Sequence, residues 1–484
     1  MKQTNKAADP AAESVEGRAL TEGNSRECVG DRTQCRSTTT SRLTAVREAA
    51  RSKPGLVFTN LLTHLTLDLL RESFMALDRR AASGSDGVSW RDYCEGLEGR
   101  LEALCERMHQ GRYRPRPARR VVIPKEDGSE RVLGILCMED KVAQQAIGTI
   151  LSQIYEVDFR GFSYGFRRGL GQHDALDALT VGIERRRVNW VLDLDIRKFF
   201  DTVEHDWMLR FVQHRVGDPR ILRLIRKWLE VGHWDESGQR VRANRGTPQG
   251  AVISPLLANV YLHYVYDLWV DQWRRRHARG DVMVVRYADD SVLGFQYHDD
   301  AVRFRQALEQ RVAGFGLSLH PEKTRLLRFG RYATRDAKAA GEGKPESFDF
   351  LGFTHLCSKT RQGRFLIRRQ TMRKRRAAQL KRIRGELRRR LHHAIGDTGR
   401  WLRRVVQGHI NYYGVPHNSW SLDDFCYEVR QSWYRSLCRR SQRKRMNWAR
   451  YSRIADYWLP RARIVHPYPE KRFDARTRGR SRMR

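Results

Sequence analysis

Two pairs of acidic residues lie inside apolar segments of the sequence, where solvated carboxylates are not expected. Asp193 and Asp195 interrupt one run of Val, Leu and Ile, and Asp289 and Asp290 stand side by side in another. Clustered, buried carboxylates repel one another, and the usual remedies are a bound divalent cation or a shifted pKa. Hard oxygen ligands suit Mg²⁺, and two such ions support in-line phosphoryl transfer. The residue types therefore indicate a metal-dependent phosphoryl-transfer site, with acids that merely cap strand ends as the alternative.

The segments around these acids predict a sheet with helices packed on it. Residues 188–196 have the pattern of a buried strand, which places the first acidic pair on one face, since alternate side chains share a face. Residues 281–296 predict strand, tight turn, strand, with the second acidic pair at the tip of the hairpin. Helical patterns cover 174–187, 220–229 and 300–315. Strands that alternate with helices indicate an α/β core.

A further segment, residues 119–133, predicts a hairpin that presents cations. Two short strands flank an Asp-Gly turn, a strong short-range signal for a hairpin. The hairpin would present Lys125 and Arg131 near its tip. An ordinary solvated turn is the alternative.

The amount and distribution of charge indicate a polyanionic partner. The 484-residue chain has 92 Lys and Arg against 56 Asp and Glu, a formal net charge of +36. Residues 356–484 contain 36 of the basic residues and 8 of the acidic ones. Aromatic residues are interleaved with these cations, and such rings stack on bases or pack beneath phosphate contacts. We therefore expect a nucleic-acid partner.

The sequence also excludes several classes of protein. It has no segment near the roughly 18 uncharged apolar residues of a membrane-spanning helix, and its N-terminal residues lack the apolar stretch of a secretory signal. The eight Cys residues are scattered without a C-x-x-C pair, which favours free thiols over disulfides or a zinc site. These features predict a cytoplasmic protein without a membrane partner. Residues 1–45, rich in Ser, Thr and Gly, predict a disordered leader.

A basic helix is predicted over residues 371–391. Its apolar residues step by three or four positions, and most of the other positions are Arg or Lys. The apolar stripe consists of Leu380, Ile383, Leu387 and Leu391. We expect this stripe to pack and the cationic face to lie along a nucleic-acid backbone, with an ordinary surface helix as the alternative.

Several segments, taken in order, together resemble the reverse transcriptases and maturases that bacterial group II introns encode. Residues 287–290 are similar to the YADD box of that family. The other matching segments are SGSDGVSW (83–90), YRPRPARRVVIPKEDGSERVLGI (113–135), FSYGFRRG (162–169), VLDLDIRKFFDTVEH (191–205), RGTPQGAVISPLLANVYL (245–262), GLSLHPEKTRLL (316–327), FDFLGF (348–353) and GHINYYG (408–414). The resemblance implies an α/β (α+β) right-hand polymerase. Fingers and palm with an antiparallel palm sheet would precede an all-helical thumb or maturase domain.

The resemblance implies a metal site and a general acid. Two Mg²⁺ ions would be bound, with Mn²⁺ as a substitute, by the carboxylates of Asp195, Asp289 and Asp290 and the backbone carbonyl of Ile196. Asp193 would support this site rather than bind the metal. Lys323 would act as a general acid near the departing pyrophosphate, with a plain salt bridge as the alternative.

It also implies a substrate site. Lys125 and Arg131 would hold the triphosphate of a dNTP. Phe200 would be the steric gate that excludes a 2′-hydroxyl, while its neighbour Phe199 would pack in the core. Gln249, in the Pro-Gln-Gly loop, would contact the incoming base.

Contacts to template and RNA are implied in two places. Tyr164 and Arg167 would lie along the template. On the thumb, the contacts would come from Arg373, Lys374, Arg375 and Arg376.

The implied domains follow the chain order. A leader (1–45) would precede the reverse transcriptase fingers and palm (46–355), a thumb or maturase domain (356–450) and a short basic DNA-binding tail (451–484). The Cys pairs of an endonuclease domain, which some family members carry, do not follow the thumb in this sequence. Insertion would then depend on an existing 3′ end.

These features predict an RNA-directed DNA polymerase that also binds its group II intron RNA to assist splicing. It would support intron mobility, or retrohoming, by target-primed cDNA synthesis. The implied partners are the intron RNA, an RNA template, a DNA primer or target, and dNTPs. The alternatives are a reverse transcriptase recruited to defence or repair, and an RNA-binding splicing cofactor with a silent polymerase.

Overall fold

The computed structural model describes residues 33–124, 130–235, 237–440 and 446–477. The helices are α1 (Thr33–Ser52), α2 (Leu67–Ala76), α3 (Trp90–Cys94), α4 (Leu97–His109), α5 (Met138–Asp158), α6 (Gln172–Arg185), α7 (Phe199–Thr202), α8 (His205–Gln213), α9 (Pro219–Glu230), α10 (Ser254–Leu262), α11 (Leu268–Arg276), α12 (His298–Ala313), α13 (Ala333–Ala339), α14 (Arg373–Arg389), α15 (Ile395–Tyr413), α16 (Ser419–Cys438), α17 (Trp448–Trp458) and α18 (Pro469–Thr477). A short 3₁₀ helix covers Leu61–His64, and a π-helical turn, His263–Asp267, joins α10 to α11.

The strands form three sheets. They are β1 (Ala118–Pro124), β2 (Glu130–Ile135), β3 (Trp190–Leu194), β4 (His233–Trp234), β5 (Arg240–Val241), β6 (Val282–Tyr287), β7 (Asp290–Phe295), β8 (Arg325–Arg328), β9 (Phe348–Phe350), β10 (Phe353–Lys359) and β11 (Phe365–Thr371). The strand orders are β2-β1-β4-β5, β6-β7-β3-β8 and β11-β10-β9. Together with the helices, these sheets confirm the predicted mixed α/β class.

The central sheet, β6-β7-β3-β8, is antiparallel throughout, as predicted for the palm. Its strands are rich in Val and Leu, which suit a pleated, buried surface. On one face of the sheet, Leu192, Val284 and Leu293 pack into one hydrophobic core. On the opposite face, Val191 and the apolar residues that alternate with the first set pack into a second core. This period of two fixes the register, and with it the face on which each acidic side chain lies.

The predicted cationic hairpin is present as β1 and β2, with Ile123 opposite Arg131. Residues 125–129, which include Lys125, lie outside the described residues. The first residues of β1 also pair in parallel with β4, which extends the hairpin into a four-stranded fingers sheet.

The predicted helices between the palm strands are confirmed within about two residues at each end, a usual difference between assignments. They are α6, α9 and α12. Local sequence fixes the start of α9. Asp218 caps the helix by accepting a hydrogen bond from the backbone N–H of Arg220, and Pro219 occupies the first turn.

The boundary predicted between palm and thumb, at residues 355 and 356, falls inside β10. The third sheet packs into the same core as the palm through Phe348, Phe353 and Ile367. An all-helical region therefore begins only at Arg373. There three residues of the predicted stripe, Leu380, Ile383 and Leu387 of α14, are buried in a separate helical core. The fourth, Leu391, lies beyond the end of α14 and is half-buried.

Both ends of the chain differ from their predictions. Residues 33–45, predicted to belong to a disordered leader, form part of α1, which packs on α5. Residues 1–32 lie outside the described residues.

The predicted DNA-binding tail is largely an integral part of the fold. Tyr451 and Ala455 of α17 are buried in the core of the thumb. Helix α18 folds back onto α6 of the palm, where Phe473 is buried. Three ion pairs hold it there: Arg185 with Asp474, Arg472 with Asp177, and Arg476 with Asp174. Two cations of α18, Arg472 and Arg476, are thus paired with acids of the palm, while residues 478–484 lie outside the described part.

A search of the described helices finds none long and apolar enough to cross a membrane.

Candidate active site

The two acids of the YADD segment stand at a two-residue turn between β6 and β7. Tyr287 pairs with Asp290 across the hairpin, so that Ala288 and Asp289 form its tip. Ala288 has a positive φ of 56°. Such turns match the twist of the flanking strands, and glycine is the usual residue at a positive-φ position. The prediction that the adjacent acids occupy a hairpin tip is confirmed. We call residues 287–290 the catalytic turn.

A second chain segment holds the backbone of the catalytic turn. Tyr164 N–H donates to the Arg286 carbonyl and Arg286 N–H to the Phe162 carbonyl, both at 2.8 Å. Gly165 follows so closely that a Cβ there would lie 2.2 Å from the backbone nitrogen of Ala288. Only glycine fits at this position, which explains the Gly in the SYGF segment.

The side chain of Arg286 joins the turn to the helices beneath the sheet. It is 1% exposed and forms two hydrogen bonds with Asp267, at 2.7 and 2.6 Å. It also donates to the Ala288 carbonyl at 2.8 Å, to Asn259 at 3.0 Å and to Ser163 at 2.7 Å. The π-helical turn ends at Asp267 and places this carboxylate below the sheet.

This network was not predicted from the sequence. One signal was available: Arg286 is the one charged residue in the strand VMVVRY, so it had to be paired when buried. Its partners could not be identified, because Asn259 and Asp267 lie on a different element.

The third acid, Asp195, follows the end of β3 and is fixed by the 317–324 segment. His320 N–H donates to the Asp195 carbonyl at 2.8 Å, and Arg197 N–H to the Ser318 carbonyl at 2.9 Å. These contacts bring the Lys323 ammonium group within 3.0 Å of the Asp195 carboxylate. On β3 itself, Asp193 faces Arg325 of β8 at 3.7 Å. Lys323 is thus at the site, and it forms the salt bridge that the sequence left as an alternative.

The acids influence one another electrostatically. Burial raises the pKa of Asp289, and the charge of Asp195 raises it further, against the opposing effects of Arg131 and Arg286. Burial is also the main cause of the raised pKa of Asp290. The negative charges of Asp289, Asp195 and Asp193 raise it further. The side chain of Asp290 remains open to solvent on one side, and water there moderates the repulsion.

Asp193 shows the same effect in a half-buried position. Burial raises its pKa to about 6, and Asp195 contributes in the same direction while Arg325 opposes it. Four mutually repelling carboxylates at one end of a sheet are an arrangement that a cation would stabilise.

The chemistry of these donors suits Mg²⁺, although they are not gathered around one point. Within the described residues, no group of three or more His, Cys, Asp or Glu side chains is arranged to hold a metal ion. The Lys323 ammonium lies against Asp195 and supplies the nearby positive charge. The two backbone hydrogen bonds to the 317–324 segment involve Asp195 and Arg197. Neither of them uses the carbonyl of Ile196.

Phe199 and Phe200 occupy different environments. Phe199 is 1% exposed and packs in the main core, which confirms its predicted role. Phe200 is half-buried at the edge of that core. Its carbonyl accepts a hydrogen bond from Thr247 N–H at 2.7 Å, and Gly246, with a φ of 83°, passes within contact distance. The loop that contains Gln249 is therefore attached to the proposed sugar gate.

The Pro-Gln-Gly loop also contacts the fingers. Gly134 N–H of β2 donates to the Gln249 carbonyl at 2.7 Å. The next residue, Gly250, has a φ of 98°, and a Cβ at this position would lie 3.0 Å from the Gly134 oxygen. The side-chain oxygen of Gln249 is buried and has no hydrogen-bond partner among the described residues. An unpartnered buried amide oxygen is costly, so this oxygen suits contact with a substrate. Arg131, on the same strand as Gly134, lies near enough to act on the charge of Asp289.

The two predicted template contacts in the SYGFRRG segment are corrected by the structure. Tyr164 is 2% exposed and packs in the palm core. Arg167 pairs with Glu156 at 3.0 Å and donates to the carbonyls of Arg160 and Ser163. Both side chains are used internally because this segment must brace the catalytic turn. Between them, Phe166 is 45% exposed, has a φ of 56° and lies 6.3 Å from the Tyr287 ring.

The predicted cations at the start of α14 divide into two groups. Arg373, Lys374 and Arg375 are exposed. Arg376 instead pairs with Asp424 of α16 and lies 5.9 Å from the Trp420 ring. Its part in RNA contact is therefore corrected to one of joining α14 to α16.

Comparison with known proteins agrees with this geometry. Residues 123–355 match the family model described as reverse transcriptase (RNA-dependent DNA polymerase). The chain is 34% identical over 278 residues to Protein YkfC of Escherichia coli (strain K12), which covers 50% of this chain and 71% of that protein. It is 33% identical over 226 residues to the group II intron-encoded protein LtrA of Lactococcus lactis subsp. cremoris, covering 46% of this chain and 37% of LtrA. A match to the nuclear intron maturase 3, mitochondrial, of Arabidopsis thaliana is 31% identical over 121 residues, or 25% of this chain and 17% of that protein.

Proposed function

We propose a residue-level account of DNA synthesis for this chain, which belongs to the group II intron reverse transcriptase family and is an RNA-directed DNA polymerase with maturase function. Nucleic acids are its partners. The observation that supports the account is the position of Asp289 and Asp290 at a braced turn that shares its electrostatic environment with Asp195. Family members generally depend on Mg²⁺.

In the proposed reaction, the 3′-hydroxyl of a DNA primer loses its proton to water and its oxygen bonds to the α-phosphorus of a dNTP. The bond between that phosphorus and pyrophosphate breaks, and pyrophosphate leaves. Asp195, Asp289 and Asp290, with the carbonyl of Ile196, would hold Mg²⁺. Bound Mg²⁺ would lower the pKa of the primer hydroxyl and stabilise charge on the transferred phosphate. Asp193, held beside Arg325, supports Asp195 without binding the ion.

Lys323 would change partners during the reaction. Its ammonium group pairs with Asp195 in the structure, and its side chain is 59% exposed. In the proposed reaction this ammonium would turn from Asp195 toward the departing pyrophosphate. There it would donate a proton to the leaving oxygen.

The remaining side chains would select and hold the nucleotide. Arg131 and Lys125 would bind the triphosphate, and the unpartnered amide of Gln249 would contact the base. Phe200 would lie beneath the sugar, where its ring leaves no space for a 2′-hydroxyl.

Binding of group II intron RNA is assigned in this proposal to the helical region from Arg373 onward. Its exposed cations include Arg373, Lys374 and Arg375, whereas Arg376 pairs with Asp424 of α16. The same surface would hold the RNA template and the DNA primer or target during retrohoming.

Primer extension tests the polymerase part of the proposal. We expect DNA product from the native protein with an RNA template, dNTPs and Mg²⁺, and a loss on the order of a thousandfold in Asp289→Ala, as for removal of a group that stabilises the transition state. RNA binding by filter assay should be unchanged, because the substitution leaves the basic surface intact. The matched control is Asp299→Ala, an acid on α12 whose side chain is 75% exposed.

Two outcomes would contradict this account. Equal activity in Asp289→Ala and the native protein would remove the catalytic turn from the mechanism. Loss of RNA binding together with activity would mean that the variant had lost more than a metal ligand.

A further inference from the structure

Three cationic side chains meet on a surface formed by α9 and the segment that leads into β1. Lys227 of α9 donates to the carbonyl of Tyr113 at 2.6 Å and to that of Gly111 at 3.3 Å, which places its ammonium beside the backbone of Arg114. Arg223, one turn earlier, is close to the same backbone: a methyl group on Gly111 would lie 3.8 Å from its Nη1. We call Arg114, Arg223 and Lys227 the α9 cluster.

The members of the α9 cluster repel one another. Burial lowers the pKa of Lys227, and the charges of Arg223 and Arg114 lower it further. Across the described residues, neither Arg114 nor Arg223 is paired with a carboxylate. The next arginine on the same helix differs, since Arg226 has Glu230 at 3.5 Å and Asp206 at 3.9 Å. The cluster is thus a local concentration of positive charge that no acid of the described residues neutralises.

The surface around the cluster suits an anion and not an apolar partner. The large apolar residues of α9 are buried, namely Ile221, Leu224, Ile225, Trp228 and Leu229. Arg114 and Arg223 are exposed, and guanidinium groups form paired hydrogen bonds with phosphate oxygens.

The α9 cluster is separated from the catalytic acids by the length of the fingers hairpin. Arg131, which acts on Asp289, is opposite Ile123 at the far end of β1, whereas Arg114 precedes Ala118 at the near end. Five residues of strand advance about 17 Å. The cluster therefore lies at the opposite end of β1 from the residue that acts on Asp289.

We propose that the α9 cluster binds the phosphate backbone of a nucleic-acid segment outside the polymerase cleft. The two exposed guanidinium groups contact successive phosphates, and Lys227, anchored on two carbonyls, supplies a fixed charge between them. This surface extends the nucleic-acid binding of the protein to the base of the fingers, independently of the thumb. It does not require the polymerase to be active.

The test is equilibrium binding of a fluorescent 40-nucleotide RNA hairpin, and of a DNA hairpin of the same sequence, to full-length protein. The cleft is first saturated with a short unlabelled primer–template. In the double variant Arg114→Gln/Arg223→Gln, we expect the dissociation constant to rise about tenfold or more. The slope of log affinity against log salt should fall by about two, as for the loss of two phosphate contacts.

Arg226→Gln is the matched control, because this arginine lies on the same helix but already has acidic neighbours. Its affinity should stay within about twofold of the native value, since a screened surface pair contributes little. Primer extension on the short primer–template should be unchanged in both variants. Equal loss on the RNA and DNA hairpins would identify the shared phosphate backbone as the ligand, and loss on RNA alone would identify RNA.

Three results would overturn the proposal. The first is unchanged affinity and salt slope in the double variant. The second is an equal loss in Arg226→Gln, which would indicate a general effect of net charge. The third is a parallel loss of primer extension, which would assign the cluster to the polymerase cleft and would leave the proposed catalytic roles untouched.

Discussion

The catalytic turn and the α9 cluster both concentrate charge of one sign, but they are held in opposite ways. At the catalytic turn, the backbone that carries the acids is fixed by a buried cation: Arg286 bonds to Asp267, Asn259, Ser163 and the turn carbonyl. At the α9 cluster, Arg114 and Arg223 are exposed to solvent, and only Lys227 is anchored, by hydrogen bonds to two carbonyls. Charge that must be positioned to within a fraction of an ångström needs a buried opposite charge. Charge that binds a flexible polyanion does not.

The largest expected effect comes from removing the buried cation of the catalytic turn. Arg286→Met leaves the Asp267 carboxylate, which is 0% exposed, without its partner. Breaking a buried ion pair in this way costs about 3–5 kcal/mol. We expect a loss of this size in the free energy of unfolding, measured by urea denaturation and Trp fluorescence, together with loss of primer extension.

The control for Arg286→Met is a surface arginine. Arg305→Met on α12 removes a partly exposed pair with Glu309, at 3.0 Å, and should cost less than about 1 kcal/mol. The double variant Arg286→Met/Asp267→Leu should recover part of the stability, because no buried charge is then left unpaired. Equal losses in the two single variants would contradict the distinction between positioned and screened charge.

The contrast between the two regions also explains what the sequence could predict. The palm strands and the acidic hairpin tip were predictable because apolar alternation and a tight turn are local patterns. The resemblance implied that Lys323 lies near the acids, and its ammonium group is 3.0 Å from the Asp195 carboxylate, while its role as a general acid stays a prediction. The Arg286 network was not predicted, because its partners lie 19 to 123 residues away along the chain.

The same limit applies to the errors. The docking of α18 on the palm depends on ion pairs between residues nearly three hundred positions apart, such as Arg185 and Asp474. A basic segment that binds nucleic acid and a basic segment that pairs with distant acids of its own chain have the same composition. Tyr164 and Arg167 were mistaken for template contacts for a related reason, since burial of a polar side chain is a property of the folded chain.

A second, smaller effect concerns Asp193, the half-buried acid next to the catalytic residues. Its folded-state pKa, raised to about 6 by burial, lies above the ordinary value of 3.8. The folded protein therefore binds the proton more tightly than the unfolded chain does. Stability from this group is present below about pH 4 and is lost as the pH rises through about 6.

Asp193→Asn should remove this pH dependence. A shift of two pKa units corresponds to about 3 kcal/mol, and partial exposure reduces the effect, so we expect a gain of about 1–2 kcal/mol at pH 8. The difference should become small toward pH 4, where the folded acid is protonated and the unfolded acid, with its ordinary pKa of 3.8, is partly protonated. Melting temperatures of the two proteins between pH 4 and 8 measure the change, with Asp299→Asn as the exposed control. If the melting temperatures of the two proteins changed in parallel with pH across this range, burial would not destabilise the ionised form of Asp193.

The smallest effect tests whether the segment that braces the catalytic turn is itself strained. Phe166 has a φ of 56°, a left-handed conformation that costs a residue with a Cβ about 1–2 kcal/mol. Glycine adopts it without this cost but loses about 0.5–1 kcal/mol of backbone entropy on folding. Phe166→Gly should therefore be about 1 kcal/mol more stable than Phe166→Ala, which keeps the strain and loses the ring. The difference is measured by urea denaturation of the two variants.

Activity separates the backbone from the ring. Because the exposed Phe166 ring lies 6.3 Å from Tyr287, it borders the catalytic turn on the side open to substrate. Both variants lack the ring and should show the same decrease in primer extension, although their stabilities differ. Phe166→Tyr, which keeps the ring, should restore extension. If Phe166→Gly were no more stable than Phe166→Ala, the left-handed backbone would be unstrained, and the rigidity of the catalytic turn would come from the Arg286 network alone.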